Sequence, residues 1–459
     1  MVYTIDGRDA VSFPPKRKSG SLYLVLISNV AALGGLLFGY DTAVISGAIG
    51  LLQTHFSLSA AAAGWAASSA LAGCVLGAAV AGLWGDWLGR HKVLHISALC
   101  FVISAIGTAI APSIVFFIAF RIVGGVGIGA ASIASPLYIS EVAPRRWRGR
   151  LVTMNQLAIV FGMLVIYAVN YLIHRAGSSQ WNETTGWRWM FASGIVPSLL
   201  LLVLLFMVPE TPRFLLMHGH KDEAERIALR IGGGTLEDLD QKPVITEASH
   251  EHLGKVLWLG IVLAVLQQVT GVNVFMYYAP EIFNHISHSG DTSLLETVLV
   301  GGVNLLFTVI AMAMVDRAGR KPLLIGGSLG MGVCLVAMGA AAMHSDTGAW
   351  LLIFMLGYIA CYALSVGPVT WVFLSEIFPA HYRARAMALA SIALWSANFM
   401  VSQTFPMMDQ SRTLFQHFGH GFPYFLYAGF CVIETWFVWC KLPETKNRSL
   451  EEISSWWSS

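Results

Sequence analysis

The sequence predicts an all-α membrane protein with twelve transmembrane helices arranged in two six-helix bundles. Hydrophobic residues make up 56% of the chain and charged residues 12%, with a mean hydropathy of +0.65, whereas soluble domains carry about 25% charged residues. The apolar residues come in runs of about 20 or more, which is long enough to cross a bilayer. A short motif also occurs twice, about half a chain length apart, which indicates two copies of one unit.

Twelve apolar runs, numbered here as spans one to twelve, are separated by polar loops. They cover roughly residues 22–48, 61–84, 93–111, 114–140, 150–174, 188–208, 254–280, 294–315, 322–343, 349–378, 385–405 and 421–441. The predicted units are a cytoplasmic tail 1–20, a six-helix bundle 21–208, a cytoplasmic helical linker 209–252, a second bundle 253–442 and a cytoplasmic tail 443–459.

The long polar insertion between spans six and seven is predicted to contain one short amphipathic helix over 213–230. Gly232-Gly233-Gly234 is expected to end that helix. The segment is either a solvated linker or a helix that contacts both halves, and the pattern does not decide between them. Within the spans, Gly271 and Gly367-Pro368 are predicted bending points.

The basic residues are distributed unevenly between the two sides of the membrane. Arg175, Arg188 and Arg412 lie in loops after odd-numbered spans, and Arg121 lies inside span four. Every other Lys and Arg lies on the side of the two tails. Because short cytoplasmic loops are rich in Lys and Arg, both termini are predicted to be cytoplasmic.

Three motifs of the first half recur in the second half in the same order. The matched pairs are Gly85–Arg90 with Val315–Arg320, Tyr138–Pro144 with Phe373–Pro379, and Pro209–Thr211 with Pro443–Thr445. A membrane protein built from two copies of one unit is typically a transporter, because the halves can rock about a site between them.

Several other classes of function lack supporting residues. The six cysteines lie in or beside apolar runs without metal-ligand spacing, so we expect no disulfide and no metal. The glycines of 124–129 lie inside a span and follow no strand, which excludes a dinucleotide fingerprint. A net charge of +2 gives no argument for nucleic-acid binding. We expect no enzyme activity, no cofactor and no nucleic-acid partner.

Asp41 and Arg121 stand out as charges inside otherwise apolar spans. A charge at membrane depth costs at least about 2.5–3.5 kcal/mol, so such residues are rarely incidental. If the two meet, Arg121 favours the ionised form of Asp41 while burial disfavours it. We therefore expect Asp41 to take up a proton and release it as its surroundings change, although a purely structural ion pair is the alternative.

Neutral polar side chains in the spans indicate a sugar site. Sugar hydroxyls both donate and accept hydrogen bonds, and amide side chains do both, while aromatic faces suit the C–H surface of a sugar. The alternative for a single amide is a hydrogen bond between helices. The predicted site residues are Phe38, Gln156, Gln267, Gln268, Asn273, Tyr277, Asn304, Trp371, Trp395 and Asn398.

At these motifs the chain resembles the sugar porter family of the major facilitator superfamily. The marks of that family are the doubled D-x-x-G-R loops, Pro209–Arg213, Pro443–Lys446, and Gln267–Asn273 followed by Tyr277-Tyr278. The resemblance runs from about residue 34 to 451, and 34–47 and 421–450 are most similar to bacterial D-xylose–proton symporters. It implies two bundles that open alternately to either side of the membrane, with Asp41 and Arg121 in proton coupling.

The resemblance also implies an inner gate of charges at the cytoplasmic ends of the helices. Repeated acidic and basic residues there can join neighbouring helices in one state and separate in the other. The gate residues carried over by motif are Asp86, Arg90, Glu141, Arg148, Glu210, Arg213, Asp316, Arg320, Glu376, Arg383 and Glu444.

The implied function is proton-coupled symport of a monosaccharide, D-xylose or a D-glucose-like sugar. The implied partners are the sugar, the proton and membrane lipid, for a monomer in a bacterial inner membrane. The chain departs from the xylose branch at Gly194, where that branch has an acidic residue, and at Met163 and Leu394, where it is polar. A facilitative sugar or polyol uniporter is therefore the alternative, and a membrane sugar sensor a more distant one.

Overall fold

The computed structural model describes residues 18–231, 250–287, 290–343, 349–378, 382–446 and 448. The described part of the chain is nearly all helix and contains no strand, and its twelve spans form two bundles. Most of both predicted tails and the Gly232-Gly233-Gly234 segment lie outside the described residues. The unit boundaries predicted from sequence therefore stay a prediction.

The spans follow the predicted order, and several consist of more than one helical piece. Their bounds are Lys18–Ala43 with Ile45–Phe56, Ala60–Leu88, Arg90–Ala109, Ile114–Val142, Arg145–Ala176, Trp187–Ala192 with Ile195–Leu205, His250–Val269 with Val272–Tyr277 and Ala279–Ser287, Gly290–Ala318, Arg320–Met343, Ala349–Leu364 with Val366–Ile377, Arg383–Asp409, and Phe422–Lys441. Short helices Ser179–Trp181 and Arg412–Phe418 and a π-helical turn Asn182–Gly186 lie between spans.

Eleven of the described helical segments are long and apolar enough to cross a membrane, and span seven supplies a shorter apolar helix, Leu253–Val269. The protein is an integral, multi-pass membrane protein. Span seven is shorter because Gly271 interrupts it with a φ of +91°, in the left-handed region that favours glycine. A Cβ at Gly271 would lie 2.5 Å from the Tyr427 ring.

Span ten breaks at Ser365, just before Gly367-Pro368. A proline inside a helix lacks an N–H group and clashes with the carbonyl four residues earlier, here that of Leu364. The predicted bends at Gly271 and Gly367-Pro368 are therefore confirmed. In span one the helical ladder is interrupted more mildly, at Val44, which keeps helical dihedral angles.

The two halves pack together mainly through span two against span eleven and span five against span eight. The D-x-x-G-R turns of both halves, at Gly89 and Gly319, lie at one end of the bundle, which we call the motif end. The opposite end, which carries Phe56 and Ala60, is called the far end.

The linker contains two helices, Pro212–Met217 and Lys221–Ile231, so the prediction of one unbroken helix is wrong. Gly219 separates them with a φ of +83°. The second helix packs on span one, where the Arg230 guanidinium lies 4.2 Å from the centre of the Tyr23 ring. The linker therefore contacts the first half.

Candidate functional site

Asp41 and Arg121 meet inside the first half. A terminal nitrogen of Arg121 lies 3.2 Å from Oδ2 of Asp41 and also donates a 3.0 Å hydrogen bond to the Asp41 carbonyl oxygen. The Arg121 side chain is 1% exposed and the Asp41 side chain 15% exposed. The cation is thus sealed in protein, while the carboxylate keeps limited access to open space.

Gly124 packs closely against this pair, and the Phe191 ring supplies an apolar neighbour. A Cβ at Gly124 would lie 3.1 Å from Oδ2 of Asp41, so glycine leaves room for the carboxylate. The Arg121 guanidinium lies 5.7 Å from the centre of the Phe191 ring, within cation–π range. Among the described residues, Asp41 is the carboxylate that balances the Arg121 charge.

Span seven holds a chain of amides at its break. Gln267 donates from Nε2 to the carbonyls of Val366 and Gly367, both at 3.1 Å, at the break of span ten. Gln268 donates to Gln267 and accepts from Asn273. The amides therefore connect the broken segments of spans seven and ten, and each retains some hydrogen-bonding capacity.

Aromatic side chains from the two halves meet across the centre. The Phe38 and Trp395 rings lie 5.3 Å apart between centres. The indole nitrogen of Trp395 is buried and has no hydrogen-bond partner in the described structure. Tyr277 lies beside Asn398, whose Oδ1 accepts from Ser402.

The remaining predicted sugar residues have side chains without hydrogen-bond partners in the described part of the chain. Asn304 is buried in span eight, while Gln156 in span five and Trp371 in span ten are partly exposed. In the described part of the chain, none of the three side chains makes a hydrogen bond with protein. These groups and the Trp395 indole are therefore the ones most available to a hydroxylated ligand.

A separate crevice lies at the motif end of the first half. Gly82, Gly85, Arg90 and Leu137 are among its lining residues. None of the span-seven amides lines it, and its walls are mainly small and apolar. The amide and aromatic residues, rather than the residues of this crevice, therefore stay the predicted sugar site.

At the motif end of the first half, Glu141 and Glu210 connect the start of span three, the end of span four and the start of the linker. Arg90 donates from Nε to Oε1 of Glu141 at 3.2 Å, and Thr211 donates to the other oxygen at 2.7 Å. Glu210 accepts from the backbone N–H groups of His91 and Thr211. Burial raises the pKa of Glu210, and these N–H groups lower it in part.

The second half repeats most of this arrangement at the matching residues. Arg320 donates to Glu376 at 2.8 Å, Thr445 donates to the second oxygen of Glu376, and Glu444 accepts from the N–H groups of Arg320 and Lys321. His91 and Lys321 occupy matching places, since each directly follows the Arg of its D-x-x-G-R loop, and each donates its backbone N–H. Because the bond uses the main chain, it forms with either side chain.

These motif-end ion pairs lie within each half. Among the described side chains, no ion pair joins the two halves at this end. Arg213 is exposed. Four predicted gate residues have side chains outside the described part of the structure: Asp86, Arg148, Asp316 and Arg383.

Polar contacts between the halves lie at the far end, and sequence reasoning missed them. Tyr167 donates to the Met276 carbonyl at 2.8 Å, and His174 contacts Asp291 at 2.9 Å. Ser68 donates to Gln403 at 3.0 Å. Polar residues near span ends are too common to have signalled these pairs.

Sequence reasoning also missed an acidic residue inside span twelve. Glu434 has an exposed fraction of 0% and accepts a 3.0 Å hydrogen bond from Ser328. The sequence does carry a signal for Glu434, because it is a single carboxyl inside an apolar run. Asp41 and Arg121 are therefore not the only ionisable residues at membrane depth.

Comparisons with known proteins agree with this geometry. The family described as "Sugar (and other) transporter" matches residues 27–457. The D-xylose-proton symporter of Escherichia coli K12 is 44% identical, over 95% of this chain and 96% of that protein. The glucose facilitated diffusion protein of Zymomonas mobilis is 38% identical, over 94% of this chain and 96% of that protein.

A solved structure also superimposes on nearly the whole chain. The partially occluded inward open conformation of the xylose transporter XylE from E. coli matches with a TM-score of 0.83 and 43% identity. The match covers 94% of this chain and 100% of that one. With the duplicated motifs and the two bundles already described, these matches show that the chain belongs to the sugar transporter family.

Proposed function

We propose that the protein is a proton-coupled symporter of a monosaccharide, D-xylose or a D-glucose-like sugar, that works by alternating access. The observation that carries the proposal is the buried pair of Asp41 and Arg121 beside a cluster of neutral amides and indoles. A proton on Asp41 weakens its attraction to Arg121, and loss of the proton restores it. Sugar binding at the amides and protonation of Asp41 then favour the same change of conformation.

Each group of predicted residues has a role in this proposal. Asp41 and Arg121 couple the proton, the amides and aromatic residues bind the sugar, and the motif-end charges bias the opening of the inner side. The motif end, with both termini, faces the cytoplasm of a bacterial inner membrane. The protein works as a monomer, since all the proposed site residues come from one chain.

A facilitative sugar or polyol uniporter is the second candidate. Gly194 favours it, because the resemblance to xylose symporters implies an acidic residue there. A Cβ at Gly194 would meet Phe191, Ala105 and Tyr40, so its nearest neighbours are not charged. The facilitated diffusion protein named above supports the same candidate.

Uptake of labelled sugar into proteoliposomes, with and without an inward proton gradient, separates the two candidates. A symporter accumulates sugar above the external concentration only with the gradient, whereas a uniporter equilibrates under both conditions. Xylose, glucose, galactose and inositol should each be tested. Absence of accumulation for every transported sugar would contradict symport and leave the uniporter.

A further inference from the structure

Glu434 is a carboxyl at membrane depth that the proposed transport cycle does not use. Its side chain is fully buried, and Ser328 of span nine donates to its Oε2 at 3.0 Å. The other oxygen, Oε1, is buried with no hydrogen-bond partner in the described structure. Lys441, at the end of span twelve, lies seven positions after Glu434, a rise of about 10 Å at 1.5 Å per residue.

The groups that face Glu434 are uncharged. Tyr358 and Tyr362 of span ten interact with it electrostatically, as does Cys431 on its own span. Described residues of spans seven, nine and eleven add no ionisable side chain that interacts with it, and no described Lys, Arg or His forms an ion pair with it. A carboxylate buried without a cation is strongly disfavoured, so the neutral acid is the favoured form here.

Tyr358 interacts electrostatically with this carboxyl and also bonds the break of span seven. Its hydroxyl donates at 3.0 Å to the carbonyl of Thr270, immediately before Gly271. In the first half, Arg121 of span four likewise donates at 3.0 Å to a carbonyl, that of Asp41, three residues before the interruption at Val44. In each half, a side-chain donor from a neighbouring span therefore bonds a carbonyl close to the interruption in the first span of that half.

We propose that Glu434 is a second proton-binding site, in the C-terminal half, whose proton must be in place for span seven to move during transport. The role of Glu434 in transport rests on the proposed function. The protonation of Glu434 does not depend on it. Loss of the proton places an unpaired charge beside Tyr358 and Ser328. That charge destabilises the packing of spans nine, ten and twelve around the broken segment of span seven.

The test uses Glu434→Gln, which is nearly isosteric and always neutral, in the full-length protein. Thermal unfolding in detergent is measured from pH 6 to pH 10 for wild type and Glu434→Gln, with the exposed Glu183→Gln as the matched control. We expect the Tm of wild type and of the control to fall toward alkaline pH. The Tm of Glu434→Gln should fall clearly less.

Exchange of labelled xylose at equal pH on both sides of the membrane gives the second readout. Asp41→Asn serves as the background, so that the pH dependence of Asp41 is removed. Asp41→Asn should lose exchange at alkaline pH, and the double variant with Glu434→Gln should retain it. Equal alkaline loss of Tm in wild type and Glu434→Gln overturns the protonation site, and equal alkaline loss of exchange overturns its role in transport.

Two further outcomes also have defined meanings. If no variant exchanges xylose or another tested sugar at any pH, the proposed function fails while the Tm comparison still decides the protonation site. If Glu434→Gln does not fold, Glu434→Met is measured in its place. An apolar side chain of similar size should be tolerated where the native acid is neutral, and failure of both replacements contradicts a neutral acid at this position.

Discussion

Asp41 presents Arg121 with two acceptors, its carboxylate and its backbone carbonyl. A proton on the carboxylate removes the charge attraction, but the carbonyl hydrogen bond can persist. The pair can therefore change its strength without complete separation. Such a contact suits coupling, because a ligand shifts a conformational equilibrium only through its differential affinity for the two states.

Asp41→Asn should abolish uphill accumulation and leave sugar exchange intact at neutral pH. One charge moved through 100 mV supplies about 2.3 kcal/mol, which corresponds to about 50-fold accumulation at about 1.4 kcal/mol per tenfold. The variant removes the proton-binding group but keeps a polar side chain of the same shape. Accumulation and exchange in proteoliposomes are the measurements, with Glu183→Gln as the control. Accumulation above the external concentration by Asp41→Asn would rule out this role.

Trp395→Phe should weaken sugar binding while it preserves the ring contact with Phe38. The change removes one buried N–H donor that has no described protein partner. A neutral hydrogen bond contributes about 0.5–1.5 kcal/mol, so we expect KM for the transported sugar to rise about 2–10-fold. Trp189→Phe is the control, because Trp189 is 58% exposed. Similar KM values for the two variants would show that the Trp395 indole N–H does not contribute to sugar binding.

At the scale of the element, the broken spans seven and ten place the amides. Val366 and Gly367 begin the second segment of span ten, where each carbonyl has two lone pairs and can accept from Gln267 as well as within its own helix. Gln267 donates to both carbonyls and so joins span seven to the start of that segment. The predicted sugar site and the bending points are thus one structure.

Gly271→Ala should impair both stability and transport. A non-glycine residue in the left-handed conformation costs about 1–2 kcal/mol, and the added Cβ would meet the Tyr427 ring. We expect a lower Tm and slower exchange. The matched control is Gly254→Ala in the same span, where a Cβ meets open space. Equal Tm and exchange rates for the two variants would show that the break does not depend on Gly271.

The spans and bends could be predicted because their signals are local. Long apolar runs mark the eleven long segments, and Gly271 and Pro368 mark the breaks. The contacts between the halves, such as Tyr167 with Met276, depend on how two distant segments dock. No local pattern specifies that docking. Ser328 as the partner of Glu434 is unpredictable for the same reason, although Glu434 itself was visible in the sequence.

At the scale of the whole molecule, the two ends of the bundle differ in how the halves meet. At the far end, side chains bond across the halves, as Tyr167 does with Met276 and Ser68 with Gln403. At the motif end, the described ion pairs stay within each half. This arrangement corresponds to a state that is closed at the far end.

Gly64→Trp should shift the protein toward a state that is open at the far end. A Cβ at Gly64 would lie 2.6 Å from the Gln403 backbone carbonyl, so spans two and eleven leave no space there for a large side chain. A Trp at this position destabilises the present state and leaves the far-end-open state less affected. We expect loss of net transport without loss of folding.

Hydrogen–deuterium exchange in detergent measures this shift. The far-end segments of spans one and seven should lose protection in Gly64→Trp, and the motif-end segments of spans four and ten should gain it. Gly429→Trp is the control, because a Cβ at Gly429 meets open space on span twelve. Since opposite ends must respond in opposite directions, general destabilisation is distinguishable from a shift between states. Wild-type protection at both ends, with transport retained, would contradict the proposal that closure of the far end depends on the close approach of spans two and eleven.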